Sequence, residues 1–195
     1  MNPDAPFRYL LLAGFVLLLC IGARHRLKAR TGEPLDRKQE GLFILIALRL
    51  SGLAALVSLV TYLLKPASLG FAALPLPLWL RWTGVGLGCI SLCLLFWTLK
   101  SLGRNLTDTV VTRKEHTLVT TGPYHWVRHP FYGCVGLVTV TATLISANAL
   151  FLVFGGFVIT LQILRTRIEE RNLLNRFGDE YRKYMQRTGR FFPRF

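Results

Sequence analysis

The chain has 195 residues, 52% of them hydrophobic, yet it carries a formal net charge of +14. A mean hydropathy of +0.41 is too apolar for an ordinary soluble domain of one-domain length. Most bases fall between long apolar runs and not along one continuous stripe, which argues against a nucleic-acid binder and for a membrane protein with basic loops.

The first apolar run, Tyr9 to Ala23, predicts one short span. One base, Arg8, precedes it and several follow at once, a charge order that suits a retained anchor better than a cleaved signal. A basic loop follows, with a turn signal at Thr31-Gly32-Glu33-Pro34. Leu42 to Leu64 is a full span, because a rise of about 1.5 Å per residue covers roughly 30 Å of hydrocarbon. Arg49, inside that run, is expected to snorkel toward the headgroups, with pairing to an acidic site residue as the alternative. Pro66, Pro75 and Pro77 mark the connection to a third span, Leu78 to Leu99. Trp79 and Trp82 at one end and Trp97 near the other read as interfacial anchors. Gly84 and Gly88 fit a small-residue packing face, and the Gly84-Val85-Gly86 spacing inside a helix gives no phosphate-cradling turn. Cys20, Cys89, Cys93 and Cys134 sit in or beside apolar helices without further ligands, so no metal site is expected.

Leu102 to Thr121 is polar, with a short alternating piece at Thr109-Val110-Val111-Thr112. Then comes the most chemically dense stretch, Gly122-Pro123-Tyr124-His125-Trp126-Val127-Arg128-His129-Pro130-Phe131-Tyr132-Gly133. It runs straight into an apolar segment, and polar groups at the mouth of a membrane helix are costly unless they line a protected cavity. Phe131 to Leu164 is too long for one crossing and is interrupted at Ser146-Ala147-Asn148, which predicts a hairpin with legs Phe131–Ile145 and Ala149–Leu164. Beyond it, Leu173, Leu174, Phe177, Tyr181, Tyr184 and Met185 recur at helical spacing, and Gly178 should end one helix and open another. The expected fold is therefore all-α, a polytopic integral membrane protein. It should have five transmembrane helices, the last two a hairpin, and a cytoplasmic amphipathic C-terminal helix. Residues 1–101 would form the N-terminal helices and residues 102–195 the functional region.

The bases set the orientation. Arg24 to Gly41, Lys100 to Pro130 and the tail from Arg165 are base-rich, while the other side holds only Arg8, Lys65 and Arg81. The positive-inside rule puts all three basic segments in the cytoplasm and the N-terminus outside. Anionic headgroups would complement them.

Arg165 and Glu169 are four apart and share a helix face just past the last apolar leg. Alone they would be a surface ion pair worth under about 1 kcal/mol. A hairpin, however, brings them to His129-Pro130 at the start of the previous leg. One pocket could then be lined by His116, Tyr124, His129, Tyr132, Arg165 and Glu169. Pro130 would set the helix start, and first-turn N–H groups there favour a carboxylate ligand.

Read together, these blocks resemble the isoprenylcysteine carboxyl methyltransferase family, a relative of the phospholipid N-methyltransferases. The matching text is His116-Thr117-Leu118-Val119-Thr120-Thr121-Gly122-Pro123-Tyr124 and Arg128-His129-Pro130-Phe131-Tyr132-Gly133. It continues with Arg165, Glu169-Glu170, Phe177-Gly178-Asp179-Glu180-Tyr181 and Gly189-Arg190-Phe191-Phe192-Pro193. The likeness runs from about Leu102 to the C-terminus and is to the short, prokaryotic form, in the cytoplasmic membrane. It departs at Arg167-Ile168, where eukaryotic members are acidic. The resemblance implies S-adenosylmethionine as cofactor. His116, Thr117, Leu118 and Val119 would contact it near the adenine. Tyr124 and the segment His129, Pro130, Phe131 and Tyr132 would hold the ribose and methionine part. Glu169 would take the ammonium, and Arg165 the acceptor's carboxylate; these two are the expected catalytic pair.

Transfer from a sulfonium to a carboxylate neutralises charge, so a dry pocket favours it and no strong base is needed. A lipid amine would need a proton acceptor, with Tyr124, His129 or a water chain the candidates. The expected acceptor is lipidic or prenylated, a carboxylate first and an amine or thiol second. A nicotinamide-dependent sterol-type reductase and a lipid-holding scaffold are the rival readings.

Overall fold

The computed structural model describes residues 4–29, 42–105 and 117–194, apart from the side chains of Leu42 and Arg104. Among the described residues six α-helices follow one another: α1 (Ala5–Ala29), α2 (Leu42–Leu64), α3 (Leu78–Leu102), α4 (Pro130–Ser146), α5 (Ala149–Phe177) and α6 (Asp179–Arg187). Among the described residues there is no strand, only isolated bridges joining Ala73 to Asn148 and Val127 to Gly189. The Thr31–Pro34 turn, the Thr109–Thr112 piece and His116 lie outside the described residues.

Among the described residues four helices, α1, α2, α3 and α5, are long and apolar enough to cross a membrane. The fifth expected crossing, α4, has 17 residues, or roughly 25 Å at the usual rise, short of a full hydrocarbon core of roughly 30 Å. Its packing explains why it can be short, since α4 is flanked by α3 and α5 and also meets α1. Large apolar side chains such as Phe43, Leu50, Val57, Trp79, Val153 and Phe157 stand exposed on the outside of the helices. In water such a surface would be untenable; facing acyl chains it is ordinary.

Helices α1 and α3 run past the expected ends, because basic and small polar residues continue the turns beyond the apolar windows Tyr9–Ala23 and Leu78–Leu99. The interruption at Ser146-Ala147-Asn148 is a tight corner. Ala147 adopts a left-handed conformation at φ 49°, and the Asn148 side chain caps α5 by accepting from the Leu150 N–H at 3.1 Å. Gly178, at φ +52°, ends α5 and opens α6 as expected. The small-residue face of α3 meets α4: a Cβ on Gly84 would lie 2.7 Å from Leu144 Cβ and one on Gly88 3.0 Å from Thr141 Cγ2, whereas Gly86 faces open space. Arg49 is exposed on α2.

One base does more than mark topology. Arg81, buried in α3, donates from Nη2 to the Ile145 carbonyl at 2.9 Å and from Nε to the same oxygen at 3.2 Å. It also pairs with Asp4 and lies 3.9 Å over the Phe7 ring. Arg81 thus ties the start of α1 and the end of α4 to α3. Arg81→Met should cost about 2 kcal/mol, because it strands a buried carbonyl. Thermal unfolding in detergent should show the loss as a lower midpoint.

Candidate active site

At the opposite end of the bundle from Arg81, the start of α4 meets the end of α5. Pro130 begins α4 directly after His129, where its missing N–H costs nothing. α5 carries on for three further turns past its apolar part, which delivers Arg165, Glu169 and Glu170 to that same corner. The Tyr132 hydroxyl donates to Glu169 Oε2 at 2.7 Å. His129 Nδ1 lies 3.5 Å from the same oxygen, and Arg165 Nε lies 3.2 Å from Glu169 Oε1. Glu169 is therefore ringed by three of the residues expected to share a pocket with it.

Glu170 occupies a different position. Its Oε1 accepts from Arg128 Nε at 2.9 Å and lies 3.3 Å from His129 Nε2. Arg190, from the C-terminal tail, donates to its Oε2. Arg128 reaches further, donating from Nη1 to the carbonyls of Met185 and Thr188. The main chain seals the join: Arg128 N–H donates to Gly189 O at 2.9 Å and His129 N–H to Arg190 O at 3.1 Å. These two N–H groups are satisfied by the tail and not left for a carboxylate ligand, and Tyr132 N–H donates to His129 O at 3.2 Å.

An aromatic wall lines the cluster. His129 and Tyr132 stack with centroids 5.4 Å apart and planes 8° from parallel, and Phe191 lies 5.9 Å from His129 and 6.3 Å from Tyr132. Tyr124, in a 3₁₀ turn spanning Gly122–His125, is buried and its carbonyl accepts from the Tyr184 hydroxyl at 2.6 Å. Burial pushes the Tyr124 phenol far above its ordinary range, with Tyr184, Cys134 and Glu169 adding to the effect. Burial likewise lifts Tyr184 to about 12 and pushes Tyr181 up. These phenols are neutral donors at physiological pH.

The remaining expected residues divide. Thr117 is tied to the end of α3: its N–H donates to Asn105 Oδ1 at 3.2 Å, and Asn105 Nδ2 donates to its hydroxyl at 3.1 Å. Leu118 and Val119 follow half-buried, and their main-chain groups make no hydrogen bond among the described residues. Phe131 turns toward Leu95, Leu99 and Cys134 and belongs to the helix core, not to the ionic cluster. Sequence reasoning quoted Arg128, Glu170, Arg190 and Phe191 as matching text and gave them no role. Their signal was the acidic doublet at 169–170 and a base on each side of the chain that closes on it.

A site for S-adenosylmethionine asks for an anion to meet its ammonium, apolar or aromatic walls, and main-chain edges for a base. The described residues supply each. Glu169 is partly exposed beside Tyr132, His129 and Phe191, and the main-chain groups of Leu118 and Val119 have no partner among the described residues. Among the described residues no group of His, Cys, Asp or Glu could hold a metal ion.

Residues 84–175 match the family model for the isoprenylcysteine carboxyl methyltransferase (ICMT) family. The chain is 35% identical over 122 residues to the cobalt-zinc-cadmium resistance protein CzcN of Cupriavidus metallidurans, covering 58% of this chain and 54% of that one. It is 34% identical over 114 residues to the protein-S-isoprenylcysteine O-methyltransferase of Saccharomyces cerevisiae, covering 55% and 48%. Against the human protein-S-isoprenylcysteine O-methyltransferase it is 32% identical over 122 residues, covering 59% and 42%. The chain thus spans about half the length of the curated relatives it matches. The matched region holds α4, most of α5 and both carboxylates of the cluster. Over residues 84–175, just under half of its length, this chain is similar to the isoprenylcysteine carboxyl methyltransferase family.

Proposed function

We propose that this protein is an integral-membrane methyltransferase that uses S-adenosylmethionine to esterify the carboxylate of a lipidic, isoprenylated acceptor. The observation that carries this reading is the meeting of the α4 start and the α5 end around Glu169, with Tyr132, His129 and Arg165 all on one carboxylate. The likeness of that segment to the methyltransferase family supports the chemistry.

The cofactor supplies an electrophilic methyl group on a sulfonium. Glu169 binds its ammonium, held in place by the Tyr132 hydroxyl. His116, Thr117, Leu118 and Val119 border the adenine, chiefly through main chain, while Tyr124 and the His129–Tyr132 segment flank the ribose and methionine part. Arg165 turns from Glu169 to the acceptor's carboxylate and aligns it, a task that needs no proton transfer. Charge neutralised on transfer favours a site without water, which the buried Tyr124, His129 and Pro130 help to exclude. A phospholipid amine would need a proton acceptor, and with the Tyr124 phenol neutral that role would fall to His129. The amphipathic acceptor reaches this corner from the bilayer.

In this reading α4 crosses with α5 as the fifth span, protected by its neighbours. The N-terminus lies outside and the site faces the cytoplasm of a prokaryotic inner membrane, with residues 102–195 as the catalytic part and 1–101 as its membrane support. The test is methyl transfer from labelled cofactor to S-farnesylcysteine by the full chain in lipid. A label released as methanol by mild base is expected. A label stable to base marks an amine or thiol product, and none at all removes the reading. Arg165→Ala should raise the acceptor KM by about thirtyfold, the loss of one charge-assisted contact of about 2 kcal/mol. It should leave the affinity for S-adenosylhomocysteine within about twofold, a difference under about 0.5 kcal/mol, measured by titration calorimetry.

A further inference from the structure

The inner ends of α1 and α3 enclose a hollow of about 210 Å³ lined by His25, Lys28, Lys100 and Gly103. It opens at the same end of the bundle as the α4–α5 cluster, and among the described residues no carboxylate lines it. Two of its four lining residues, His25 and Lys28, lie outside the segment that matches the family.

Snorkelling explains a lysine at a helix end, since its stem covers apolar surface while the ammonium seeks water. It does not explain two ammonium groups from different helices sharing one concavity, where they repel each other unless an anion lies between them. Nor does it explain His25. That side chain is only 8% exposed, and its Nε2 has no hydrogen-bond partner among the described residues. A buried polar atom left unpaired costs about 1–3 kcal/mol, and a ligand can repay it. The His25 ring rests edge-on against Phe96 with centroids 5.5 Å apart, which holds it at the wall of the hollow. Gly103 caps α3 at φ +55°, and a Cβ there would meet nothing among the described residues.

We propose that this hollow is an anion site that takes the phosphate of an acidic phospholipid headgroup, with Lys28 and Lys100 pairing its oxygens and His25 completing the shell. Its depth fits: the residues sit at the ends of two apolar helices, where a headgroup phosphate lies and a lipid's acyl chains can follow the exposed apolar face of α1. Basic hollows between transmembrane helices are the recurrent form of such sites. A bound lipid would lock α1 to α3 beside the helix that opens the α4–α5 cluster.

The experiment uses the full chain, delipidated and placed in phosphatidylcholine nanodiscs. Phosphatidylglycerol is titrated in, with thermal midpoint and native mass spectrometry as readouts. The wild type should retain phosphatidylglycerol in preference to phosphatidylcholine and unfold at a higher temperature with it. Lys28→Gln with Lys100→Gln should weaken that binding about thirtyfold, each ammonium contributing roughly fivefold to sixfold. Lys28→Arg with Lys100→Arg should keep it, as should Lys65→Gln at the far end. Inorganic phosphate is the second probe: protection by phosphate alone, with no added effect of phosphatidylglycerol, would overturn the lipid assignment and leave a soluble phosphate as the ligand. A wild type that shows no preference between the two lipids and no response to phosphate overturns the proposal, whether or not the variants fold. So does a Gln pair that binds phosphatidylglycerol as tightly as the wild type.

Discussion

Glu169→Gln is expected to lower kcat/KM by roughly a hundredfold to a thousandfold, a loss of about 3–4 kcal/mol. The reason is local. Tyr132, His129 and Arg165 all converge on this one carboxylate, and its side chain is 20% exposed, open enough to accept a ligand's ammonium. The amide keeps the shape and can still accept from Tyr132, so the fold should survive. What goes is the negative charge. The loss should therefore show as weakened binding of S-adenosylhomocysteine with an unchanged melting profile. Equal cofactor affinity in Glu169→Gln would mean that the ammonium is held elsewhere.

Glu170→Ala should act through stability and not through chemistry. Its carboxylate is 7% exposed and answers Arg128, which is 9% exposed, together with the buried His129. Removing one partner of a buried pair leaves an uncompensated charge and costs about 3–5 kcal/mol. The C-terminal tail should loosen with it, because the same arginine holds the Met185 and Thr188 carbonyls. Arg190→Ala should cost far less, under about 1 kcal/mol, since that side chain is 41% exposed and its ion pair is screened. Thermal unfolding of the two variants side by side checks the ordering, and limited proteolysis after Thr188 reports the tail. An Arg190→Ala loss as large as that of Glu170→Ala would contradict it.

The parts of this molecule that could be read from sequence are those set by short-range rules. The hairpin corner shows because Asn148 caps a helix and Ser146-Ala147-Asn148 breaks an apolar run. The Gly84/Gly88 face shows because helical spacing alone puts both residues on one side. Arg165 and Glu169 meet because they are one turn apart, and His129 joins them because the hairpin legs are similar in length. What stayed hidden depends on pairs distant in the chain. Arg81 counted only as one of three bases on the outer side, yet its partners are Asp4, 77 positions away, and Ile145, 64 away. Glu170 looked like the lesser half of a doublet until Arg128, 42 positions off, and Arg190, 20 off, closed on it. The number of spans is obscured for a related reason. Hydropathy counts apolar runs, whereas a helix buried among others, as α4 is, need not be long enough to reach both interfaces.

Titration calorimetry of the full chain with S-adenosylhomocysteine, repeated on Glu169→Gln and Arg165→Ala, addresses the α4–α5 junction most directly. Binding by the wild type and by Arg165→Ala, with a loss of roughly a hundredfold in Glu169→Gln, is the predicted result. No binding by the wild type, or binding of NADPH in its place, would contradict the assignment.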